Sequence, residues 1–209
     1  MDRYEMNEGL GVRLATPDDA AAIVDISAPY ILETTLTFVS TVPTIEQTRQ
    51  KIEQILKLYP YLVCTSDEKV VGYAYAGEVR PHDAYKWNTE LSIYLDAQYH
   101  RRGIATALYT ALFQILRAQG YVNLYAVVAI PNDASIALHR HFGFNEIGVH
   151  ERTGFKFGEW HDVVWLHHRI DAALDPQSHG LPTPIEELNK NDIDTALNLA
   201  IALLRGVSL

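Results

Sequence analysis

The chain has 209 residues, of which 48% are hydrophobic, which is enough apolar material for one globular domain with a proper core. Its formal net charge of −9 argues against a nucleic acid as the main partner, because phosphate binding needs a basic face. The single cysteine, Cys64, excludes an internal disulfide, and neither a signal peptide nor a membrane span is evident, so we expect a cytoplasmic protein without a membrane partner.

Five segments have the spacing or the end signals of helices. Thr16 and Pro17 are typical of a helix start, and Gly120 and Gly143 are typical of residues that follow a helix end. Between these signals, apolar residues recur every three or four positions. The predicted helices are residues 16–31, 44–58, 104–119, 131–144 and 185–207.

Runs of β-branched and aromatic residues predict the strands. The segment 146–170 alternates and contains central glycines, as a long hairpin does, while residues 34–38 suggest a loop. The order of helices and strands indicates an α/β fold with a mixed sheet flanked by helices, rather than a regularly wound one. The other predicted strands are residues 12–15, 61–66, 69–79, 88–96 and 123–129.

The C-terminal part of the chain differs from the rest in composition. Residues 172–184 contain three prolines and a glycine and are typical of a linker. The helical segment beyond it is too short to form a core alone, so we expect this extra C-terminal helix to pack on the domain or on a second subunit. The predicted organisation is an N-terminal extension (1–11), one domain (12–171), and a linker with a helical tail (172–209).

Two arginines and a glycine stand directly before the predicted helix 104–119. No Ser, Thr, Asp or Asn caps this helix, so its first backbone N–H groups need another partner, and the helix dipole favours an anion. Gly103 would let a phosphate approach closely, and Arg101 and Arg102 add positive charge. The turn is not a Walker loop, because GxxxxGK[ST] is absent. Taken alone, it also fits a solvated helix start with two surface arginines.

The stretch HRRGIA, residues 100–105, resembles the Q/R-x-x-G-x-G/A signature of the GCN5-related N-acetyltransferases (GNAT), with His100 where Gln or Arg is usual. Four further stretches resemble, in order, the phosphinothricin N-acetyltransferase branch of that family. They are YILETTLTF, YAYAGEVRPHDAYKWNTELSIYLD, IPNDASIALHRHFGF and TGFKFGEWHDVVW. The resemblance runs from about Val12 to Ile170, and it implies the acyl-CoA N-acyltransferase (GNAT) fold and direct transfer of acetyl from acetyl-CoA to an amine.

The resemblance assigns the acetyl-CoA site to this turn and to the strand before it. The backbone of that strand would pair with the pantetheine arm like an added strand, and an N–H there would polarise the thioester carbonyl. Asn132 matches a CoA-contacting asparagine, although a helix N-cap explains it equally well. The residues expected to bind acetyl-CoA are Ile93, Tyr94, Leu95, Arg101, Arg102, Gly103, Ile104, Ala105, Thr106 and Asn132.

Two residues are candidates for the chemistry. Glu90 matches the glutamate of the family's catalytic strand and would accept a proton from the substrate ammonium, although an ordinary strand glutamate facing solvent is the alternative. His139 lies where the family places a proton donor for the leaving thiolate, but a lone helical histidine is often structural. We expect Cys64 to be a buried structural residue rather than a covalent nucleophile. No zinc-ligand spacing is present, so we expect no metal.

The resemblance also suggests the substrate pocket. Phe38, Tyr85 and Tyr94 would form its apolar wall, and Arg80 matches the first of two basic residues that bind the anionic groups of the substrate. His82 stands where the second is often Arg, so anion recognition should be weaker or different here. The predicted substrate is the amine of a small amino acid or an analogue such as phosphinothricin, methionine sulfoximine or methionine sulfone.

Other functions stay open from the sequence. The acceptor could instead be a polyamine, an aminoglycoside or a protein N-terminus, and the chain could be a CoA-binding interaction module without catalysis. Lys156 and Trp160 lie in the hairpin that, in this branch, often closes the pocket or meets a partner subunit. Because the hairpin and the tail both offer apolar surface, we expect a homodimer.

Overall fold

A computed structural model describes residues 9–170 and 180–206 of the chain. These residues form seven strands and five α-helices, joined by loops and short 3-10 turns. The strands are β1 (Leu10–Leu14), β2 (Tyr61–Ser66), β3 (Lys69–Glu78), β4 (Asn88–Leu95), β5 (Asn123–Ile130), β6 (Asn145–Lys156) and β7 (Glu159–Arg169). The helices are α1 (Ala20–Glu33), α2 (Ile45–Leu58), α3 (Ile104–Gln119), α4 (Asp133–His141) and α5 (Lys190–Leu204).

The seven strands form one sheet in the order β1-β2-β3-β4-β5-β7-β6. Neighbouring strands are antiparallel, except that β4 and β5 run parallel and are connected through α3. This exception follows from the helix between them, because a parallel connection needs a long crossover whereas antiparallel neighbours need only a short turn. The predicted mixed sheet flanked by helices is confirmed.

Helices cover both faces of the sheet. The larger core lies under α3, where Leu108 and Leu112 are fully buried. The second core lies on the opposite face, where Ile23 of α1 and Ile52 of α2 pack over β2 and β3. Successive residues of β2 belong to the two cores in turn, as the alternation of side chains along a strand requires.

Most predicted element boundaries are confirmed to within two residues, and the predicted strand 61–66 and helix 104–119 coincide with β2 and α3. Two helices differ, because a 3-10 turn precedes each of them, so that α1 begins at Ala20 rather than at residue 16 and α5 begins at Lys190 rather than at residue 185. The Asp19 carboxylate accepts a hydrogen bond from the Thr16 N–H at 2.7 Å and pairs with Arg13 at 2.7 Å. These local bonds hold the first turn in a tighter geometry than an α-helix has.

The C-terminal helix is part of the core of the domain. α5 packs on α3 and on β1, and its apolar side joins the larger core together with one residue of the turn before it. The buried residues are Ile185, Ala196, Ala200 and Leu204. Of the two places predicted for the tail, packing on the domain is therefore observed.

Hydrogen bonds fasten the segment that leads into α5. Gln119 is 2% exposed, and its Nε2 donates to the carbonyl oxygens of Leu58 at 2.8 Å and Thr183 at 2.7 Å. The indole N–H of Trp87, the residue just before β4, donates to the carbonyl oxygen of Gly180 at 2.8 Å. The tail therefore also contacts the point from which β4 starts.

Parts of the predicted organisation lie outside the described residues, namely 1–8 of the N-terminal extension, residue 171 of the domain, 172–179 of the linker and 207–209 of the helical tail. Within the described ranges, none of the helices is both long and apolar enough to cross a bilayer.

We expect Leu204→Ala to lower the free energy of unfolding by about 2–5 kcal/mol, because this leucine is 1% exposed and its truncation leaves a cavity in the larger core. Denaturant unfolding followed by circular dichroism measures the change. Leu181→Ala is the matched control, since Leu181 is 58% exposed and its loss should change stability by less than about 0.5 kcal/mol. Equal midpoints for the two variants would show that α5 unfolds separately from the domain.

Candidate active site

Strands β4 and β5 are paired over only three residues, and Glu90 is the last of them. The parallel register joins residues 88–90 to residues 123–125 and then stops. β4 continues to Leu95 and β5 to Ile130 without further pairing between them, so a gap opens in the sheet. Glu90 therefore lies at the closed end of this β4–β5 gap, directly opposite Tyr125.

The surroundings of Glu90 change its proton affinity. The side chain is partly buried, and burial raises the pKa of its carboxyl group above the ordinary value. By the alternation along β4, Glu90 lies on the same face as Tyr94, which packs against the core under α1 and α2. A carboxyl group with a raised pKa is better suited to accept a proton near neutral pH. The environment is that of a general base, and the role itself stays a prediction.

The backbone of β4 beyond the glutamate turns every second residue toward the gap. The Asp96 N–H donates to the carbonyl oxygen of Val71 at 2.9 Å, so the even-numbered residues of β4 bond to β3. The N–H and C=O groups of Ile93 and Leu95 then point toward the β4–β5 gap, whereas those of Tyr94 pair with β3. The backbone groups of Ile93 and Leu95, two of the three predicted pantetheine-binding residues, therefore face the gap. The backbone of the third, Tyr94, pairs with β3, and its side chain lies on the Glu90 face of the sheet.

The turn between β4 and α3 leaves helix N–H groups unpaired within the helix. α3 begins after Gly103, whose φ of +84° is readily adopted only by glycine. No side chain caps this end, and the Ala107 N–H makes the bond to the carbonyl oxygen of Gly103 at 3.0 Å. The N–H groups of residues 104–106 therefore have no acceptor within the helix. Together with the helix dipole they form a site suited to an anion.

Charged residues surround this helix end. Arg101 is exposed and has a φ of +62°, and the guanidinium carbon of Arg102 lies 4.6 Å from the centre of the Tyr99 ring. The Nε2 of His100 lies 3.1 Å from the hydroxyl of Tyr30, which also donates to the last carbonyl oxygen of β4 at 2.6 Å. The histidine that replaces the usual Gln or Arg therefore links the turn to α1.

The segment after α1 connects the two sides of the site. Thr37 lies beside Tyr94 of β4, and its carbonyl oxygen accepts a hydrogen bond from Lys156 Nζ at 2.7 Å. Phe38 packs against Gly154 of β6, where a Cβ would lie 2.1 Å from the phenyl ring. Glycine at this position is what lets the β6–β7 hairpin approach the segment after α1. The two together form a wall on the Glu90 face.

Of the four predicted substrate residues, Phe38 and Tyr94 lie in this arrangement. Tyr85 is 39% exposed in the loop before β4. It lies near Tyr125, whose pKa is raised mainly by burial and further by the neighbouring Tyr85. Arg80 is exposed in the same loop and makes no side-chain hydrogen bond or ion pair with any residue that the structure describes. The predicted basic residue is thus unengaged in this structure.

Sequence reasoning missed Tyr125, which faces Glu90 across the paired end of β4 and β5. The sequence contains one signal for its orientation. Tyr125 lies between the apolar residues Leu124 and Ala126, and because the side chains of a strand alternate between two faces, Tyr125 lies on the face opposite to theirs. The position of Tyr125 opposite Glu90 depends on the register of β4 with β5, which no local sequence pattern specifies.

Comparison with known proteins assigns this architecture to a family. The family model described as an acetyltransferase (GNAT) domain matches residues 12–165. The chain belongs to the GNAT acetyltransferase family. The predicted family and the predicted class of enzyme are confirmed.

Individual relatives of this GNAT enzyme share most of its length. It is 36% identical over 166 residues to the phosphinothricin N-acetyltransferase of Streptomyces viridochromogenes, covering 79% of this chain and 91% of that protein. It is 29% identical over 168 residues to the L-methionine sulfoximine/L-methionine sulfone acetyltransferase of Salmonella typhimurium, covering 80% and 98%. A phosphinothricin acetyltransferase from Sinorhizobium meliloti, crystallised with acetyl-CoA, superposes with a TM-score of 0.75 at 31% identity, covering 88% and 97%.

Helix α4 of this GNAT enzyme holds its two predicted residues in structural hydrogen bonds. Asn132 caps the helix, because its Oδ1 accepts from the Ser135 N–H at 3.2 Å. His139 is 3% exposed, with Nδ1 2.7 Å from the Ser135 carbonyl oxygen and Nε2 3.0 Å from the Tyr109 hydroxyl. Since a carbonyl oxygen only accepts, Nδ1 carries the proton, and Tyr109 donates to Nε2. His139 thus ties α4 to α3, while proton donation by it stays a prediction.

Two further expectations concern Cys64 and metals. Cys64 is 0% exposed, and burial raises the pKa of its thiol to about 12, so it is not a thiolate nucleophile at neutral pH. Among residues 9–170 and 180–206, no group of three or more His, Cys, Asp and Glu side chains is placed to hold a metal ion.

We expect His139→Gln to weaken the dependence of stability on pH below about 6.5. Burial lowers the pKa of His139 in the folded chain, so just below that pH the unfolded chain binds more protons than the folded one. The stability contributed by neutral His139 is therefore complete above about pH 6.5 and is lost as the pH falls toward the lowered pKa.

Denaturant midpoints between about pH 7.5 and pH 5 measure this effect. The control is His141→Gln, which alters an exposed histidine of the same helix. Identical slopes for wild type and His139→Gln would contradict the buried, neutral state of His139.

Proposed function

We propose that this acetyltransferase uses acetyl-CoA to acetylate the amine of a small amino acid or analogue, of the phosphinothricin or methionine sulfone type, with Glu90 as general base. The observation that carries the proposal is the position of Glu90, a carboxyl group with a raised pKa at the closed end of the β4–β5 gap. The names of the relatives in Streptomyces viridochromogenes and Salmonella typhimurium support the class of acceptor.

The gap and the turn beside it have the groups that acetyl-CoA requires. The N–H groups of residues 104–106 and the close approach allowed at Gly103 suit a pyrophosphate, beside which Arg101 and Arg102 carry positive charge. The unpaired backbone groups of Ile93 suit the amides of the pantetheine arm. Acetyl-CoA lying along the gap would then direct its thioester toward Glu90.

The proposed reaction is a direct transfer. The amine of an amino acid is mostly protonated at neutral pH and attacks only after it loses a proton, which Glu90 accepts. The amine nitrogen then bonds to the acetyl carbonyl carbon and gives up a second proton, the carbon–sulfur bond breaks, and CoA leaves as a thiolate that takes up one proton, so that the amide and CoA thiol are formed. The Ile93 N–H, which faces the gap, is the proposed donor to the thioester carbonyl oxygen.

The proposed source of the proton for the thiolate is His139. The ring proton of His139 is bonded to the Ser135 carbonyl oxygen, so donation requires that bond to open. We retain His139 as the proposed donor. A kcat that survives in His139→Gln would assign it to holding α4 instead.

We also propose that the chain forms a homodimer in the cytoplasm. Strand β6 is at the edge of the sheet, and large apolar side chains of β6, of the β6–β7 turn and of the start of β7 are exposed. An apolar edge of this kind is typical of an interface. The exposed residues are Ile147, Val149, Phe155, Phe157 and Trp160.

We expect Glu90→Gln to lower kcat by about 10²- to 10⁴-fold, because the amide cannot accept the proton of the ammonium. The affinity for acetyl-CoA, measured by calorimetry, should stay within about twofold, since the backbone groups that bind it are unchanged. In wild type, kcat/KM should fall on the acidic side as Glu90 becomes protonated, and the variant should lack this limb.

A second variant separates binding from chemistry. Gly103→Val places a β-branched residue at a φ of +84° and should weaken acetyl-CoA binding while Glu90 stays intact. Glu90→Gln with wild-type turnover would refute the base. A wild-type protein that binds acetyl-CoA but acetylates no amine in a panel of amino acids, polyamines, aminoglycosides and peptides would instead be a binding module.

We expect Ile147→Lys to shift the dimer toward monomer in light scattering at matched concentrations, because a buried lysine at the interface would lack a partner. Fold stability should be kept, since Ile147 is 56% exposed in the single chain. Leu32→Lys on α1, where the leucine is 58% exposed, is the control and should leave the mass unchanged. A monomeric wild-type protein would refute the dimer.

A further inference from the structure

Lys156, the last residue of β6, is a cation in an unusual position. It is only 6% exposed, whereas lysines are almost never that buried unless they are paired. It forms no ion pair with any acid in residues 9–170 and 180–206. Its Nζ donates to the carbonyl oxygen of Thr37 at 2.7 Å and lies 5.1 Å from the centre of the Phe157 ring.

The strand register places Lys156 on the Glu90 side of the sheet. Lys156 lies opposite Glu159, and along β7 the odd-numbered residues share one face. The register of β7 with β5 places Tyr125 on that same face, and Tyr125 lies opposite Glu90. The ammonium group also bonds to the carbonyl oxygen of Thr37, which lies beside Tyr94 of β4.

The hairpin around Lys156 is held in place by its own contacts. The ring of His161 bonds through Nε2 to the Lys156 backbone carbonyl oxygen at 3.0 Å and lies 6.2 Å from the Phe38 ring. Gly154 admits that phenyl ring with no space for a larger residue. The lysine is therefore a positioned group rather than a flexible surface side chain.

An ammonium group in such a place is incompletely satisfied. It has three N–H donors, and the one oxygen that it bonds to in the described chain is an uncharged carbonyl. Burial without an opposite charge disfavours the charged form, and the pKa of Lys156 is accordingly lowered by burial. An anionic oxygen beside Nζ would supply both the missing charge and a second acceptor.

We propose that Lys156 binds an anionic oxygen of the acceptor substrate and thereby selects amino acids over amines that lack an acidic group. This inference rests on the proposed function, because it takes the acceptor to enter on the Glu90 face. Such a cation would compensate for His82, which stands where the second basic residue is often Arg, and for Arg80, which is exposed. The anionic oxygen belongs either to the α-carboxylate or to an acidic side-chain group such as a phosphinate.

The experiment compares wild type with Lys156→Met and Lys156→Arg on three acceptors, namely phosphinothricin, methionine sulfone and methionine sulfone amide. Lys156→Met should raise KM for an anionic acceptor by about 10- to 150-fold, as expected for the loss of a hydrogen bond between charged groups, with kcat changed only a few-fold. KM for the amide and for acetyl-CoA should stay within about threefold, and Lys156→Arg should recover much of the affinity.

The acceptors distinguish the two sources of the anion. A carboxylate contact predicts losses for both phosphinothricin and methionine sulfone, whose side-chain head is neutral, but not for the amide. A contact with the acidic head predicts a loss for phosphinothricin alone. Equal losses on all three acceptors, or none, would overturn the inference. Equal losses would mean that Lys156 only holds the segment after α1 through Thr37.

Binding is measured separately from turnover, by calorimetry of phosphinothricin in the presence of CoA. Lys57→Met, which removes an exposed lysine of α2, is the matched control and should bind as wild type does. If binding is lost in Lys156→Met while wild type shows no turnover, the inference stands and the catalytic proposal fails. If turnover is normal and Lys156→Met binds as wild type does, the inference fails and the catalytic proposal stands.

Discussion

The separation of β4 from β5 is the constraint on which the rest of the site depends. Each strand keeps one complete neighbour, β3 for β4 and β7 for β5, and they share only the three pairs that end at Glu90. Beyond this point the backbone groups of Ile93 that face the gap lack strand partners. In the proposed function, the amide groups of a pantetheine arm bond to them as an added strand would.

Contacts from outside the two strands connect the elements that surround the gap. Tyr30 and His100 connect α1 to the turn where α3 begins, and the Tyr109–His139 hydrogen bond connects α3 to α4. The β6–β7 hairpin meets the segment after α1, where Gly154 admits Phe38. The C-terminal tail adds α5 to the larger core and bonds to the residue before β4. The geometry at Glu90 is thus supported by elements from most of the chain.

Local features of the fold could be predicted well from the sequence. β2 and α3 coincide with their predicted ranges, because period-two and helical patterns, together with a stop at Gly120, are written in neighbouring residues. The uncapped start of α3 after Gly103 could likewise be predicted, since it depends on a glycine and a missing cap, and its role as an anion site stays a prediction. Less accurate was the start of α1, where the Arg13–Asp19 pair tightens the first turn.

By itself, therefore, the sequence determined most of the elements, whose order indicates a mixed sheet, and the stretches that carry the resemblance to the family, because each can be read in order along the chain. Only the tertiary structure decided where pairing between β4 and β5 ends, that Tyr125 faces Glu90, and that His139 is enclosed by Tyr109 and Ser135. It also decided that Lys156 is buried without an acidic partner. These outcomes depend on strand register and on contacts between residues far apart in the chain, which no local pattern specifies.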